Sequence, residues 1–284
     1  MLSAVVLTKN EEKNIERCLK SLDFVDEIVV VDDYSRDNTL DKVKNQSASW
    51  LTKVKNLSQK LKIFQRNLNG DFAEQRNFGM EKASEEWVLF LDADEEVSDE
   101  LKEEIKEVIR YASLERDDLV GFYIKRRDYF WGREVKFGEV LKVRRKGILR
   151  LIKKGFGKWR GKVHEKLEIG NWKLEVGKLK NFINHYPHST IKEFLHEVNF
   201  YSSLRAGELF EQGKKTNILA IIFYPLLKFI LNYFIYLGFL DGPTGFVYAF
   251  MMSFHSFLVR GKLYIKNYTN DANEYANDAN YANM

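Results

Sequence analysis

Trp87-Val88-Leu89-Phe90-Leu91-Asp92-Ala93-Asp94 is an apolar run that stops abruptly on two carboxylates one residue apart. Five consecutive hydrophobic side chains, with Glu85-Glu86 before them, read as a strand buried on both faces, the kind found inside a parallel sheet. Asp92 and Asp94 then stand at its carboxyl end. In extended backbone, residues two apart face the same way with Cα atoms about 6–7 Å apart. That spacing suits two hard oxygen donors sharing one divalent cation with a diphosphate. It also suits a solvated acidic loop, because Glu95, Glu96, Asp99 and Glu100 follow.

Upstream, the pattern alternates. Leu2–Leu7 is a short β-rich run, and Asn10 is placed to cap a helix whose Ile15, Cys18, Leu19 and Leu22 share one face. Glu27–Val31 reads as the next strand, ending on Asp32-Asp33. A helix is expected from Thr39, a third strand over Leu61–Gln65, a helix over Ala73–Ala83, and the fourth strand over Trp87–Asp92. Ser98 caps a further helix with Leu101, Ile105, Val108 and Ile109 as its stripe. Strands alternating with helices imply a doubly wound, mainly parallel sheet, in which ligands bind beyond the carboxyl ends of the strands. Three of those ends carry polar clusters: Thr8-Lys9-Asn10-Glu11, Asp32-Asp33 and Asp92-Ala93-Asp94. Gly-rich dinucleotide and P-loop signatures are missing, as is the spacing of a calcium-binding EF-hand.

The motifs "LSAVVLTKNEEKNIERCLKSL", "EIVVVDDYSRDNT", "FAEQRNFG" and "WVLFLDADEEV" occur in that order. They resemble the successive motifs of family-2 glycosyltransferases with the GT-A fold, over roughly residues 2–110. "TKNEE" and the later "KVHEKL" resemble the lipopolysaccharide core β-glucosyltransferase subgroup. The resemblance implies that Thr8, Asn10, Glu11, Asp32 and Asp33 line a nucleotide pocket, and that Arg76 helps hold the diphosphate side. Asp92 and Asp94 correspond to the D-x-D motif that contacts ribose and a metal-bound diphosphate, with Mg²⁺ or Mn²⁺ as the ion and a UDP-sugar as the expected donor. Lys9 replaces a tyrosine common in relatives, and Tyr34 stands where glycine is common.

Residues 120–180 alternate β-rich runs with glycines (Val120–Lys125, Val140–Val143, Ile148–Ile152, Lys173–Val176), the smaller mixed part of the sheet. An inverting transfer needs a carboxylate to take the acceptor's proton. Glu165 in Val163-His164-Glu165 is the candidate catalytic base; its bland alternative is a surface partner of Lys162 or Lys166. His164 is a candidate to orient it or to approach the metal, or is structural. The net charge of +4 hides an asymmetry. Residues 1–120 carry 18 Lys/Arg against 27 Asp/Glu, while 121–180 carry 19 against 6. The basic cluster Lys142, Arg144, Arg145, Lys146, Arg150, Lys153, Lys154, Lys158 and Arg160 suits an anionic acceptor or membrane surface, or simply a solvated face. No nucleic-acid module accompanies it.

With 284 residues, 45% of them hydrophobic, the chain can bury a large core. Its single cysteine, Cys18, excludes an intrachain disulfide and is expected as a small core residue in a reducing compartment. No secretory signal is apparent. In the last third, Thr190-Ile191-Lys192-Glu193 is a capping box. His185-Tyr186 before it resembles a recurrent subgroup feature, or stabilises a turn. Ile218–Leu240 carries a single charge, Lys228, among mostly apolar residues; after Asp241-Gly242-Pro243, Phe246–Val259 is a second apolar run. The pair is expected as an interfacial or re-entrant hairpin, with a spanning helix and packing on the protein as alternatives. The expected division is a GT-A domain over 1–184 (nucleotide half 1–115, acceptor half 116–184), a helical extension over 185–268, and a disordered tail over 269–284 that repeats "NDAN". The leading expectation is an inverting, metal-dependent hexosyltransferase. It passes sugar from a nucleotide-sugar to a glycan or glycolipid acceptor of the cell envelope, at the cytoplasmic face of the inner membrane. The alternatives are a polyprenyl-phosphate sugar synthase and a non-catalytic, membrane-docked binding protein.

Overall fold

The computed structural model describes residues 1–50, 61–116, 118–162, 165–170 and 173–281. They fall into two units. The first comprises 1–134 and 142–187; the second comprises 135–141 and 188–284.

The first unit is built on the strand read above, here β4 (Trp87–Asp92), with Trp87 through Leu91 fully buried. It lies beside β1 (Leu2–Thr8), followed outward by β2 (Glu27–Asp32) and β3 (Leu61–Gln65), all parallel. The connections are helices α1 (Ile15–Lys20), α2 (Thr39–Trp50) and α3 (Phe72–Lys82). Residues buried on both faces need cover on both faces, which is why the apolar runs are continuous rather than alternating. One core layer sets Ile15, Leu22, Leu89, Leu91, Leu101 and Ile105 together; the other sets Val5, Val29, Val88, Phe90 and Trp159 together. Gly79 lets α3 lie close on β1: a Cβ there would stand 2.3 Å from Val5 Cγ1.

Beyond β4 the sheet becomes mixed, as expected. β5 (Glu95–Val97) and α4 (Asp99–Glu115) follow in the chain, then β6 (Leu119–Phe130), β7 (Arg133–Val135), α5 (Val140–Lys146) and β8 (Ile148–Lys153). β9 (Gly157–Arg160) and β10 (Lys166–Ile169) form a separate antiparallel pair, and β11 (Glu175–His185) returns to the main sheet. The order is β3-β2-β1-β4-β8-β6-β11-β5, with β7 on β6. β8 runs antiparallel to β4 and β6, while β11 is parallel to β6 and antiparallel to β5.

Two local expectations are corrected. Val140–Val143, read as a strand from its valines, lies in helix α5, because Gly147 N–H turns back onto Val143 O at 2.9 Å and local bonds displace ladder bonds. Asn10 does not cap α1. It sits at φ +54°, and Asn14 occupies the cap position. Ser98, by contrast, does cap α4, accepting from Leu101 N–H at 3.3 Å.

In the second unit, Thr190 caps α6 (Ile191–Glu211) by accepting from Glu193 N–H at 3.2 Å. Helix α7 (Ile218–Ile230) continues as a π-helical turn over Leu231–Ile235 and a 3-10 turn over Gly238–Asp241. Helix α8 (Gly242–Tyr281) then runs into the low-complexity stretch. Ala206 and Leu209 of α6 pack with Val259 and Leu263 of α8.

Candidate active site

The site builds outward from the carboxyl end of β4. Asp92 Oδ1 accepts from Arg76 Nη2 at 2.7 Å and Asp92 Oδ2 from Arg150 Nη2 at 2.8 Å. Burial opposes ionisation of Asp92, yet Arg150 and Arg76 together hold its carboxyl far below the usual range. Among the described residues, neither guanidinium's buried Nη1 has a protein partner. Unpaired buried donors on two arginines are costly unless a ligand completes them.

Arg76 is placed by its neighbours. Gln75 ties the helix to the end of β3, accepting from Arg66 Nη1 at 2.8 Å and donating to Arg66 O at 2.7 Å. Asn77 bonds both backbone groups of Trp159, at 3.0 and 2.9 Å, clamping α3 against β9. Arg76 then lies over the Trp159 ring at 4.9 Å, and its Nε donates to Glu165 Oε1 at 3.1 Å. One guanidinium therefore joins Asp92 to Glu165, residues 73 positions apart in the chain. His164 and Val163 lie outside the described residues.

Asp94 faces a different partner. The antiparallel register of β11 on β5 sets His185 opposite Glu95, and His185 Nε2 comes to 3.2 Å from Asp94 Oδ2. The other ring nitrogen, Nδ1, lies 2.7 Å from Asp128 Oδ1. Burial and Arg126 oppose a charge on His185, but Asp94 and Asp128 outweigh them and raise its pKa to about 10. Burial likewise opposes Asp94, and His185 draws its carboxyl down. Glu95, fully buried, is pushed up by desolvation despite Arg150 at 3.4 Å and Arg126 at 3.6 Å. Asp92 and Asp94 therefore point at different partners, whereas the spacing of the motif suggested that they meet on one point.

Among the described residues no group of three or more His, Cys, Asp or Glu is arranged to hold a metal. Asp94 with His185 nonetheless supplies a carboxylate oxygen and an imidazole nitrogen, and Asp128 on Nδ1 is the outer carboxylate that turns an imidazole's Nε2 toward a metal. Two protein donors fit ions that take their remaining oxygens from substrate phosphates. Both oxygens of Asp92 are occupied by arginines.

The other clusters gather at the same edge of the sheet. Thr8 pairs in register with Asp32, Asp33 N–H donates to Thr8 O at 2.9 Å, and Thr8 Oγ1 is buried without a partner among the described residues. Asp32 is fully buried; its carboxylate holds the following loop by accepting from Ser35 N–H at 2.9 Å and also accepts from Gln65 Nε2 at the end of β3 at 3.1 Å. Asp33 accepts from Leu68 N–H at 3.0 Å and pairs with Lys9 at 3.0 Å. Asn10 Oδ1 accepts from Arg36 N–H at 2.8 Å, and Glu11 Oε2 from Asn14 at 2.8 Å. Tyr34, where glycine is common, has φ +49° and is 47% exposed.

Sequence reasoning missed Arg150 and left His185 undecided. Arg150, one of the basic cluster expected at an anionic acceptor or membrane surface or on a solvated face, is 5% exposed and belongs to the Asp92 network. The available signal was a lone charge inside the apolar run Ile148–Ile152. For His185 the signal lay in a pairing register between segments some 90 residues apart, which local sequence does not encode.

The family model "Glycosyl transferase family 2" matches residues 3–163, more than half the chain. The chain belongs to this family. Its α/β fold is GT-A, with the mainly parallel sheet and helical extension that the sequence suggested. This family-2 glycosyltransferase is 30% identical over 271 residues to the lipopolysaccharide core biosynthesis glycosyltransferase LpsC of Rhizobium meliloti, covering 93% of this chain and 92% of that one. An uncharacterized glycosyltransferase of Rickettsia typhi is 29% identical, covering 92% of this chain and 86% of its own. Among solved structures, the mannosyltransferase PcManGT from Pyrobaculum calidifontis in complex with GDP-Man and Mn²⁺ gives a TM-score of 0.49 at 17% identity, covering 87% of this chain and 72% of that one.

Proposed function

We propose that this family-2 glycosyltransferase transfers a hexose from a nucleotide-sugar, a UDP-sugar first among them, to a glycan or glycolipid acceptor of lipopolysaccharide core type, with inversion at the anomeric carbon. The observation that carries the reading is Arg76 joining Asp92 and Glu165, which puts a carboxylate one guanidinium away from the donor end of β4. The likeness to LpsC along nearly the full chain supports the acceptor class.

In this reading Thr8, Asn10, Glu11, Asp32 and Asp33 form the nucleotide rim, with Asp32 and Asn10 shaping its loops more than touching the ligand. Arg76 and Arg150, each with a spare buried Nη1, orient Asp92 and meet the diphosphate. Asp94 and His185 would hold Mg²⁺ or Mn²⁺, and the ion would supply positive charge against the diphosphate. Glu165 takes the proton of the acceptor hydroxyl as the new glycosidic bond forms and the bond from the anomeric carbon to the phosphate oxygen breaks. Arg76 keeps that carboxylate aimed through its Nε at 3.1 Å.

The test is release of nucleoside diphosphate by the purified full chain with a panel of nucleotide-sugars, a rough lipopolysaccharide acceptor and Mn²⁺. Transfer is expected, and is expected to cease with EDTA or with Asp94→Asn. Turnover unaffected by both would sink the metal assignment. Product that partitions into organic solvent with polyprenyl phosphate, and not with the polar glycan, would replace the acceptor assignment.

A further inference from the structure

Helix α7 and the π-helical turn after it carry an uncovered apolar stripe. Ile218–Ile235 is long and apolar enough to cross a membrane by length and composition, and only 6% of it is buried. Leu219, Phe223, Leu226, Leu227, Ile230 and Phe234 are each 47–62% exposed. They recur three and four apart, so they share one helix face. The other face packs on α8, where Phe246 meets Phe229 and Tyr233 edge-on at 5.7 and 5.6 Å. A contiguous apolar patch of this kind marks an interaction surface.

Charge identifies the partner. From Thr216 to Val259 the chain contains two residues of the Asp/Glu/Lys/Arg class, Lys228 and Asp241. Segment 135–141 pairs with both. Lys228 Nζ meets Glu139 Oε1 at 2.8 Å, and Asp241 Oδ2 accepts from the backbone N–H of Lys136 at 3.0 Å and of Phe137 at 2.8 Å. Gly138 N–H donates to Tyr236 O at 2.9 Å, and Ser253 Oγ donates to Pro225 O at 2.7 Å. The hairpin's two charges and the carbonyls of Tyr236 and Pro225 are thus paired from within, and pairing of this kind is what contact with acyl chains requires. A protein partner would tolerate a polar rim on the stripe itself; this one carries no charge. Cations stand at its margins instead. Lys214 and Lys215 are exposed just before α7, Lys136 is exposed at the tip, and Arg260 lies 4.1 Å over the Tyr224 ring. Long cationic side chains beside an apolar face reach lipid phosphates.

Connectivity decides between lying on the membrane and crossing it. The segment bonded to the tip at Asp241 and to the middle at Lys228 continues covalently into Glu134 and Lys142 of the sheet-bearing unit. A spanning hairpin would have to carry that tether to the far side. We propose that the second unit docks in the plane of a single leaflet of an anionic phospholipid bilayer, with the α7 stripe sunk at the headgroup–acyl boundary and no segment crossing. This docking is independent of the chemistry proposed above.

Flotation of the full chain with vesicles of phosphatidylglycerol and phosphatidylethanolamine tests it. The wild type is expected to float and to stay partly bound in high salt. The triple variant Leu219→Ser/Phe223→Ser/Leu227→Ser is expected to lose binding more than about tenfold while keeping its thermal unfolding, since all three side chains are exposed. Phe223→Trp, read by brominated-lipid quenching, checks insertion without depending on the fold of the triple variant. Wild type that stays in the aqueous phase, equal flotation of the triple variant, absent quenching, or a solution dimer that the triple variant dissolves would each overturn the proposal. A Phe239→Cys tip, set against the buried Cys18 as background, is expected to react with an impermeant maleimide from one side of sealed membranes only. Labelling from the side opposite the sheet-bearing unit would overturn in-plane docking.

Discussion

Arg150→Met removes the guanidinium that bridges Asp92 and Glu95 while keeping much of the aliphatic stem. In the native structure its Nη2 stands 2.8 Å from Asp92 Oδ2 and 3.4 Å from Glu95 Oε1. Without it, Asp92 keeps Arg76, and Glu95 keeps Arg126 at 3.6 Å and the Asp92 N–H at 3.0 Å. Removing one partner of a buried ion pair costs about 3–5 kcal/mol, because a charge is left buried and undercompensated. For a domain of this size that corresponds to a fall in Tm of roughly 10 °C. The sign of the pH dependence follows from Glu95. Burial already raises its folded pKa above the ordinary value, and Arg150 opposes the rise. Losing Arg150 lifts it further, so the folded variant holds a proton that the unfolded chain has released. The destabilisation is then least near pH 5 and grows as pH rises through the folded value. Thermal unfolding by circular dichroism in metal-free buffer at pH 5 and pH 8 reads this directly, and Arg150→Met/Glu95→Gln is expected to recover part of the loss at pH 8. A Tm change under about 2 °C, or an equal deficit at both pH values, would refute the buried-network argument.

Glu165→Gln keeps an oxygen for Arg76 Nε but cannot take a proton, so transfer is expected to fall about 10²–10⁴-fold with nucleotide-sugar binding by calorimetry unchanged. In metal-free protein, imidazolium between Asp94 and Asp128 stabilises the fold fully below pH 6.5, and that contribution is lost as pH rises to about 10; His185→Gln is expected to flatten the stability–pH curve in that window, measured by urea unfolding. The same proton competes with a metal ion, so Mn²⁺ affinity measured by titration is expected to rise with pH across that window and to lose most of this dependence in His185→Gln. Gly79→Ala, which sets a Cβ 2.3 Å from Val5 Cγ1, is expected to cost about 1–3 kcal/mol by overpacking, read as a lowered urea midpoint.

The N-terminal, parallel half of the sheet was legible because its signals are local. Continuous apolar runs such as Ile28–Val31 in β2 and Trp87–Leu91 in β4 bury on both faces, and the chain between such runs carries helical stretches such as α1, whose apolar residues lie on one side. A parallel sheet follows from that alternation, and with it a rim holding Thr8, Asp32 and Asp92. The mixed half was less legible. Valines in Val140–Val143 favour extended backbone, yet the turn at Gly147, with φ +75°, closes a helix instead.

The sequence by itself determined the family, the strand that ends on Asp92, and the apolar hairpin with one lysine in it, since periodicity and motif order are written along the chain. Only the tertiary structure decided that Arg150 is buried against Asp92, that His185 stands beside Asp94, and that Lys228 is neutralised by Glu139. Each of these depends on a strand register or a helix contact between residues more than 50 positions apart, and pairing there changes what a charged side chain does: a solvated arginine keeps a protein in water, whereas Arg150, buried and paired, organises a site, and Lys228, partly exposed, is neutralised by Glu139 beside the apolar stripe.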